Sequence, residues 1–229
     1  MLTQPLIVLI FLLLFLLLVV ITQWLYISRI APEKSRKFIH VSGGILALFL
    51  PLCIQSHWWI LLLCGSSFLL LLFTYLFKQL PGIHKTKRYS LGSLFFPIPV
   101  YVCFLVAVMM GNFLLFYIPI SLLTFSDTAA EWGGKQWGRY TRSFFQNQKT
   151  MAGSLCFALS AWLICLLWLA VLFHLPFHHS LIIGFLVMLA ATIAEALSLK
   201  GWDNLTIPAA AAGTLYLLLQ TSYFSLPPS

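Results

Sequence analysis

The sequence is short of charge, and of negative charge above all. Only 8% of its 229 residues are charged, and aspartate and glutamate together number five. Because soluble globular domains carry about a quarter charged residues, this composition excludes an ordinary soluble protein. The apolar fraction is 61%, and apolar runs of about 20 residues, long enough to cross a bilayer core, recur along the chain. We therefore predict an integral membrane protein that crosses the bilayer several times.

Several familiar sequence motifs are also missing. The five cysteines are odd in number, lie within apolar runs and lack metal-ligand spacing, which favours a packing role. The segment GGKQWGR lacks the spacing of a Walker A phosphate loop, and no protein-kinase motif set is present. The first apolar run has neither a basic flank nor a small-residue cleavage site, so we expect a retained span rather than a secretory signal.

The apolar runs predict eight membrane-spanning helices in a single membrane-embedded domain over residues 1–229. The expected fold class is an all-α helical bundle. The predicted spans cover approximately residues 5–28, 38–54, 57–77, 91–110, 112–130, 151–173, 180–199 and 205–222.

The basic residues support this arrangement, because all thirteen follow odd-numbered spans and so share one membrane face. They are Arg29, Lys34, Arg36, Lys37, Lys78, Lys85, Lys87, Arg88, Lys135, Arg139, Arg142, Lys149 and Lys200. Since lysine and arginine favour cytoplasmic loops, we predict that this face is cytoplasmic and that both termini are external. Topology and anionic lipid explain the net charge of +8, so we expect no nucleic-acid partner.

Two of the five acids stand four residues apart in TFSDTAAEWGGKQWGRY, residues 124–140. In a helix, Asp127, Glu131, Gly134 and Gly138 would share one stripe. Ionisable side chains at the ends of spans tend to mark functional sites. Carboxylates on this stripe could bind a hard divalent cation, and the glycines would let a phosphate or another helix approach closely. The alternative is a salt-bridged helix end that only fixes the topology.

Basic side chains near these acids predict a phosphate site. Lys135, Arg139 and Lys149 belong to the densest basic loop of the chain and are expected to clamp phosphate oxygens. In EKSRKFIH, Arg36 and His40 lie four residues apart and so face the same way. We predict that they contact the same anion, although a lone histidine at a span end is more often an interfacial residue.

The stretch EALSLKGWDNLTIPAAAA contains two further acids. Glu195 is expected about one turn inside the membrane edge, and Gly201 is expected to interrupt the helix. Non-helical backbone at such depth occurs where it is buried in protein or lines a wet cavity. If Thr206 begins the next helix, Asp203 and Asn204 are free to point at a ligand. The alternative for Asp203 is a simple helix cap.

The stretch RYSLGSLFFPIP begins the predicted fourth span and contains Pro97 and Pro99. Because proline lacks an amide proton, both residues must bend or loosen the helix. The bend would either open a slot for a lipid chain or serve ordinary packing, and the sequence leaves both interpretations open.

Five blocks in this order resemble the family of membrane polyprenol kinases, which includes phytol kinase, dolichol kinase and CTP-dependent diacylglycerol kinase. The blocks are RKFIH, SLGSLFFPI, SDTAAEWGGKQWGR, KTMAGS and EALSLKGWDNLTIP, and their pattern is most similar to that of phytol kinase. Ser126 stands where the family usually has glycine, and Glu131 stands where aspartate is common. These two departures affect the substrate assignment more than the chemistry.

The resemblance implies transfer of the terminal phosphate of a nucleoside triphosphate, typically CTP, to an isoprenoid alcohol such as phytol, with Mg²⁺ or Mn²⁺. Asp127, Glu131 and Asp203 are the candidate metal ligands, and Glu195 is the candidate base for the alcohol proton. Asn204 is a candidate nucleotide contact. The expected partners are the lipid bilayer, the alcohol and the nucleotide, while the sequence predicts no oligomeric state.

Two alternative functions remain open. A CDP-lipid-forming cytidylyltransferase also joins CTP to a membrane lipid, but the C-terminal stretch AAGTLYLLLQTSYFSLPPS lacks the lysine-aspartate pair and the proline-glycine-histidine stretch of those enzymes. A transporter or lipid-binding protein could use half-buried acids to couple to ions. Acids confined to one face disfavour it, since a coupling pathway should place polar groups near the midplane.

Overall fold

The computed structural model describes residues 3–84, 92–138, 149–199 and 201–221, and over these ranges it contains helices and no β-strand. The α-helices in chain order are α1 (Gln4–Ile27), α2 (Pro32–Leu48), α3 (Leu50–Cys53), α4 (His57–Leu76), α5 (Pro81–His84), α6 (Gly92–Phe95), α7 (Pro97–Met110), α8 (Leu114–Ser121), α9 (Asp127–Trp137), α10 (Met151–Leu166), α11 (Phe177–Leu197) and α12 (Asp203–Leu219). Two π-helical segments, Leu122–Ser126 and Leu167–Leu172, join α8 to α9 and extend α10.

Within the described ranges, six helical stretches are long and apolar enough to cross a membrane. They are Gln4–Ile27, Pro32–Cys53, His57–Leu76, Gly92–Met110, Met151–Leu172 and Phe177–Leu197. The prediction of an all-helical membrane protein is thus confirmed, but the count of eight spans is not. The remaining two predicted spans, 112–130 and 205–222, fall on the α8–α9 region and on α12. With 17 residues, α12 is only about 26 Å long, slightly less than a bilayer core of about 30 Å.

The helix α8 lies at the centre of the bundle. All eight of its residues are buried, and it packs against α2, α7 and α12. By contrast, α10 presents a stripe of leucines to the outside, with Leu155, Leu159 and Leu163 exposed by 62%, 55% and 64%. Leucines spaced four apart on an outer surface are typical of a helix that faces lipid. The apolar composition therefore reflects two different environments, a packed centre and a lipid-facing rim.

The first π-helical segment, Leu122–Ser126, directly precedes Asp127. A π-helical turn contains one extra residue, and such turns occur frequently at functional sites. Helix α2 crosses this segment closely at Gly44, where an added Cβ would collide with the side chain of Thr124. The Thr124 hydroxyl in turn donates to the carbonyl of Ile120 at 2.7 Å. Gly44 is therefore needed for the approach of α2 to the residues just before Asp127.

We expect Gly44→Ala to lower the thermal unfolding midpoint of the detergent-solubilised protein, because overpacking in a dense interior costs about 1–3 kcal/mol. Gly65→Ala is the matched control. A Cβ at Gly65 would meet no heavy atom within 4 Å, and replacing a helical glycine with alanine is itself favourable by up to about 1 kcal/mol. Equal midpoints for the two variants would contradict a tight crossing at Gly44.

Candidate active site

A cavity of about 970 Å³ opens among the helices and receives the predicted site residues. This volume lies at the upper end of the range for ligand pockets. Every candidate residue within the described ranges lines the cavity, and Arg139 lies outside those ranges. The lining candidates are Arg36, His40, Asp127, Glu131, Gly134, Lys135, Gly138, Lys149, Glu195, Asp203 and Asn204. Candidate residues from four helices, α2, α9, α11 and α12, and from the chain before α10 thus share one chamber.

The first charged cluster joins α2 to α9. Lys37 Nζ donates to Asp127 Oδ2 at 2.7 Å and lies 3.2 Å from Glu131 Oε2. Lys135 Nζ donates to Glu131 Oε1 at 2.5 Å, and Arg36 Nη2 lies 3.9 Å from Glu131 Oε2. Burial alone would raise the pKa of Glu131, but the ammonium of Lys37 and the hydrogen bond from Lys135 outweigh it and hold that pKa below its usual value. Both acids are therefore held as carboxylates by their lysine partners.

Lys37 is a site residue that the sequence reasoning missed. It was counted only among the basic residues that define the membrane face, whereas its ammonium contacts both Asp127 and Glu131. The available signal was its position three residues before His40, which places the two side chains on neighbouring parts of one helical face. Lys37 also lines the cavity.

The second charged cluster joins the start of α10 to α11 and α12. Lys149 Nζ donates to Glu195 Oε1 at 2.5 Å and lies 3.7 Å from Asp203 Oδ2. The hydroxyl of Ser154, another residue missed from the sequence although it lies in the KTMAGS block, donates to Glu195 Oε2 at 3.1 Å. Burial alone would lower the pKa of Lys149, but the charges of Glu195 and Asp203 raise it. Lys149 is therefore a cation shared by two acids.

Asp203 occupies a different electrostatic environment from the first cluster. Its pKa is raised, first by burial and then by the negative charge of Asp127, and the nearby Lys149 only partly compensates. Asp127 and Asp203 both line the cavity, so the two clusters face a common space.

Two side chains that were predicted to contact phosphate, those of His40 and Asn204, form hydrogen bonds with backbone carbonyls. His40 Nε2 donates to the carbonyl of Leu123 at 2.9 Å, inside the π-helical segment, where the irregular turn changes the usual pairing of backbone carbonyls. Asn204 Nδ2 donates to the carbonyl of Gly92 at 2.5 Å, which ties α12 to α6. Both side chains line the cavity, so their contact with a nucleotide stays a prediction.

The prediction for the start of the last helix needs one correction. Gly201 interrupts the chain as expected, with φ at +93°, but α12 begins at Asp203 and not at Thr206. Thr206 lies inside the first turns, where its hydroxyl donates to the carbonyl of Trp202 at 3.2 Å. Asp203 Oδ1 accepts from the amide of Asn204 at 3.0 Å. The first turn of the helix thus carries the acid that faces the cavity.

Glycines bring the start of α10 against α9. A Cβ at Gly134 would lie 2.9 Å from Thr150 Oγ1, and one at Gly153 would lie 2.8 Å from the carbonyl of Ala130. Thr150 caps α10 by accepting from the amide of Gly153 at 3.0 Å. All four of these residues line the cavity, together with Gly138 and Lys149. The amino-terminal end of a long helix, with its positive end of the helix dipole, therefore faces the charged chamber.

Comparison with known proteins finds similarity to two lipid kinases. No family model matches the chain, and no solved structure matches it. The chain is 24% identical to phytol kinase of Synechocystis sp. (strain ATCC 27184 / PCC 6803 / Kazusa) over 193 residues, which cover 81% of this chain and 79% of the relative. These similarities support assignment to the polyprenol and lipid kinase family. A second lipid kinase, CTP-dependent diacylglycerol kinase 1 of Schizosaccharomyces pombe, is 35% identical over 112 residues, 44% of this chain and 49% of that relative.

The fit of a divalent cation to this cavity depends on the paired carboxylates. Among the residues of the described ranges, no group of three or more His, Cys, Asp or Glu side chains is arranged to hold a metal ion. The carboxylate oxygens instead accept from Lys37 and Lys149. Their chemistry nevertheless suits Mg²⁺, since carboxylates are its preferred protein ligands, and Asp127, Glu131 and Asp203 line the same cavity.

Proposed function

We propose that the protein transfers the terminal phosphoryl group of CTP to the hydroxyl of a membrane isoprenoid alcohol such as phytol. One observation carries the proposal. The same cavity is lined by charged residues of α2, α9, α11, α12 and the chain just before α10, and by apolar residues of α1, α4 and α7. A site that joins a water-soluble triphosphate to a lipid hydroxyl requires such a junction of charged and apolar walls.

The nucleotide phosphates would bind to the cations of the chamber. Lys149 stands directly before α10, whose amino-terminal amides favour phosphate through the helix dipole. Arg36 and Lys135 approach Glu131 from α2 and from the next turn of α9, and Arg139 is proposed to join them. A triphosphate would offer these cations new partners in place of the acids that they now contact.

Asp127, Glu131 and Asp203 would hold the magnesium ion that accompanies the nucleotide. When bound, the ion neutralises negative charge on the phosphates. The lysines that now pair with these acids would then turn to phosphate oxygens, so that each charge keeps a partner. Phosphoryl transfer needs mainly in-line positioning and charge compensation, and the two clusters provide carboxylates and ammonium groups on the wall of one cavity.

Glu195 is the proposed base for the proton of the alcohol. Its residue is only 3% exposed, and its two oxygens accept from Lys149 and Ser154. When Lys149 binds phosphate, one Glu195 oxygen becomes free to accept the alcohol proton, while Ser154 keeps the carboxylate oriented. We further propose that this chamber faces the cytoplasm, where nucleotide is available, and that both termini are external.

The test is a transfer reaction with the purified protein in detergent, γ-labelled CTP and phytol. We expect labelled phytyl phosphate and CDP in equal amounts, and we expect removal of Mg²⁺ with EDTA to abolish the reaction, because unneutralised phosphates would repel the acids. Release of pyrophosphate with a CDP-lipid product would instead identify a cytidylyltransferase. Ion-driven uptake into proteoliposomes without nucleotide hydrolysis would identify a transporter.

Two substrate panels refine the result. One compares phytol, geranylgeraniol, a longer polyprenol and diacylglycerol, and the last is included because the Schizosaccharomyces pombe relative is named as a diacylglycerol kinase. The other compares CTP with UTP, ATP and GTP. We expect the highest rate with an isoprenoid alcohol and CTP. A preference for diacylglycerol would instead indicate a diacylglycerol kinase like the second relative.

A further inference from the structure

The apolar part of the cavity forms a slot that continues from the charged chamber between α1, α2, α4 and α7. Its walls include Phe11, Phe15, Ala47, Leu63, Pro97 and Val100. The slot and the chamber belong to one cavity, so a molecule whose polar end lies beside Asp127 can extend its apolar end among these side chains. Helix α6 ends at Phe95 and α7 begins at Pro97, and this proline lines the cavity.

The depth of the slot follows from α2, which runs along it. Lys37 contacts Asp127 at the charged end, and Ala47 lines the slot ten residues later in the same helix. At 1.5 Å per residue, these two levels are about 15 Å apart. This distance is about half of a bilayer core of roughly 30 Å. Leu50 follows, is only 2% exposed and also lines the cavity, so it closes the far end.

Gly43 stands part-way along this slot and has no packing reason to be glycine. A Cβ at Gly43 would meet no heavy atom within 4 Å, whereas one at the adjacent Gly44 would collide with Thr124. Glycine in a helix interior is less favourable than alanine. Gly43 lines the cavity about 9 Å beyond the level of Lys37, measured along α2. The missing side chain therefore leaves the middle of the slot open.

We propose that the slot holds the hydrocarbon tail of the lipid alcohol, and that Gly43 determines the length of tail that the enzyme accepts. The inference rests on the proposed kinase function. A single tail about one leaflet deep fills the slot, with its hydroxyl beside Glu195 and its far end near Leu50. A side chain at position 43 blocks the passage of a long tail and leaves room for a short one.

The test compares Gly43→Leu with the parent protein on two isoprenoid alcohols, the short geraniol and the longer geranylgeraniol. We expect kcat/KM for geranylgeraniol to fall about tenfold or more relative to kcat/KM for geraniol, since forced overpacking is costly. Gly65→Leu is the matched control, because Gly65 also has open space around it but does not line the cavity. It should keep the parent's ratio. An unchanged ratio in Gly43→Leu, or an equal shift in Gly65→Leu, would overturn the proposal.

A second measurement separates the slot from the kinase reaction. Alcohol bound to the folded protein raises its thermal midpoint even without nucleotide, and geranylgeraniol should do so in the parent and in Gly65→Leu but not in Gly43→Leu. If no nucleotide supports phosphoryl transfer while this pattern of stabilisation is observed, the proposed kinase function is wrong and the proposed tail-binding slot is supported. If transfer occurs and geranylgeraniol stabilises Gly43→Leu as much as it stabilises the parent, the proposed tail-binding slot is wrong and the kinase function is unaffected.

The smaller variant Gly43→Ala keeps the test decisive if Gly43→Leu does not fold. One methyl group narrows the slot without reaching any neighbour within 4 Å. We expect a shift of the geranylgeraniol-to-geraniol ratio in the same direction but smaller, about twofold to threefold. A ratio equal to that of the parent in a folded Gly43→Ala protein would count against the proposal.

Discussion

Asp127→Asn removes phosphoryl transfer and leaves the helical bundle folded. Asparagine keeps the shape of the side chain and an oxygen that can accept from Lys37, which donates to Asp127 at 2.7 Å. It loses the negative charge that the proposed site needs for the metal-bound nucleotide. Since removing a single electrostatic contact to a transition state costs about 10²–10³ in kcat, we expect a loss of at least that size.

The structure also explains why this variant should remain stable. Lys37 lies 3.2 Å from Glu131 and keeps this partner when Asp127 is neutral, so no ammonium is left buried without an acid. The thermal midpoint should therefore stay close to that of the parent. Measurement of the CTP-to-phytol transfer rate and of the midpoint on the same purified sample checks both statements.

The matched control is Glu33→Gln, which also removes one carboxylate. Glu33 lies at the edge of the first cluster, accepts from Lys135 at 3.1 Å, and has a side chain exposed by 37%. Surface ion pairs contribute about 0–1 kcal/mol, so we expect less than a tenfold change in rate. If the Asp127→Asn protein has the transfer rate of the parent, Asp127 has no role in catalysis.

Lys149→Met lowers both stability and activity, because it leaves Glu195 without its ammonium partner. Glu195 is 3% exposed, and breaking a buried ion pair by removing one partner costs about 3–5 kcal/mol. Methionine retains the apolar length of the lysine stem, so lost packing contributes little. We expect a fall of several degrees in the thermal midpoint and a transfer rate lower by about 10² or more.

The double variant Lys149→Met/Glu195→Gln separates stability from function. Glutamine keeps an oxygen that can accept from Ser154, which donates to Glu195 at 3.1 Å, and it needs no counter-ion. Most of the lost thermal stability should therefore return, while phosphoryl transfer should stay low because both the phosphate contact and the base are gone. A double variant as unstable as Lys149→Met would show that the loss has another cause than the unpaired acid.

Helical spacing and the scarcity of acids were the two signals from which sequence reasoning found the acidic site residues. Asp127 and Glu131 stand four apart, so any helix through them puts both on one face, and the structure places both on the cavity wall. The scarcity of acids made Glu195 and Asp203 conspicuous, and they lie there as well. Their proposed roles in metal binding and proton transfer remain predictions.

The pairing of charges could not be predicted in the same way. Lys37 and Asp127 are 90 positions apart, and Lys149 and Glu195 are 46 apart. No local spacing relates such residues, because their contact depends on where helices distant in the chain cross. For the same reason the sequence did not distinguish Gly43, which faces open space, from Gly44, which touches Thr124.

The sequence by itself determined that the chain is a helical membrane protein and that Asp127 and Glu131 share one face of a helix. These properties depend on composition and on the periodicity of the helix, which are local. The tertiary structure decided which lysine holds which acid, and it joined the charged chamber to an apolar slot. Crossings between helices distant in the chain create both features, and the free energy of such crossings is set by side chains that meet only after the helices pack.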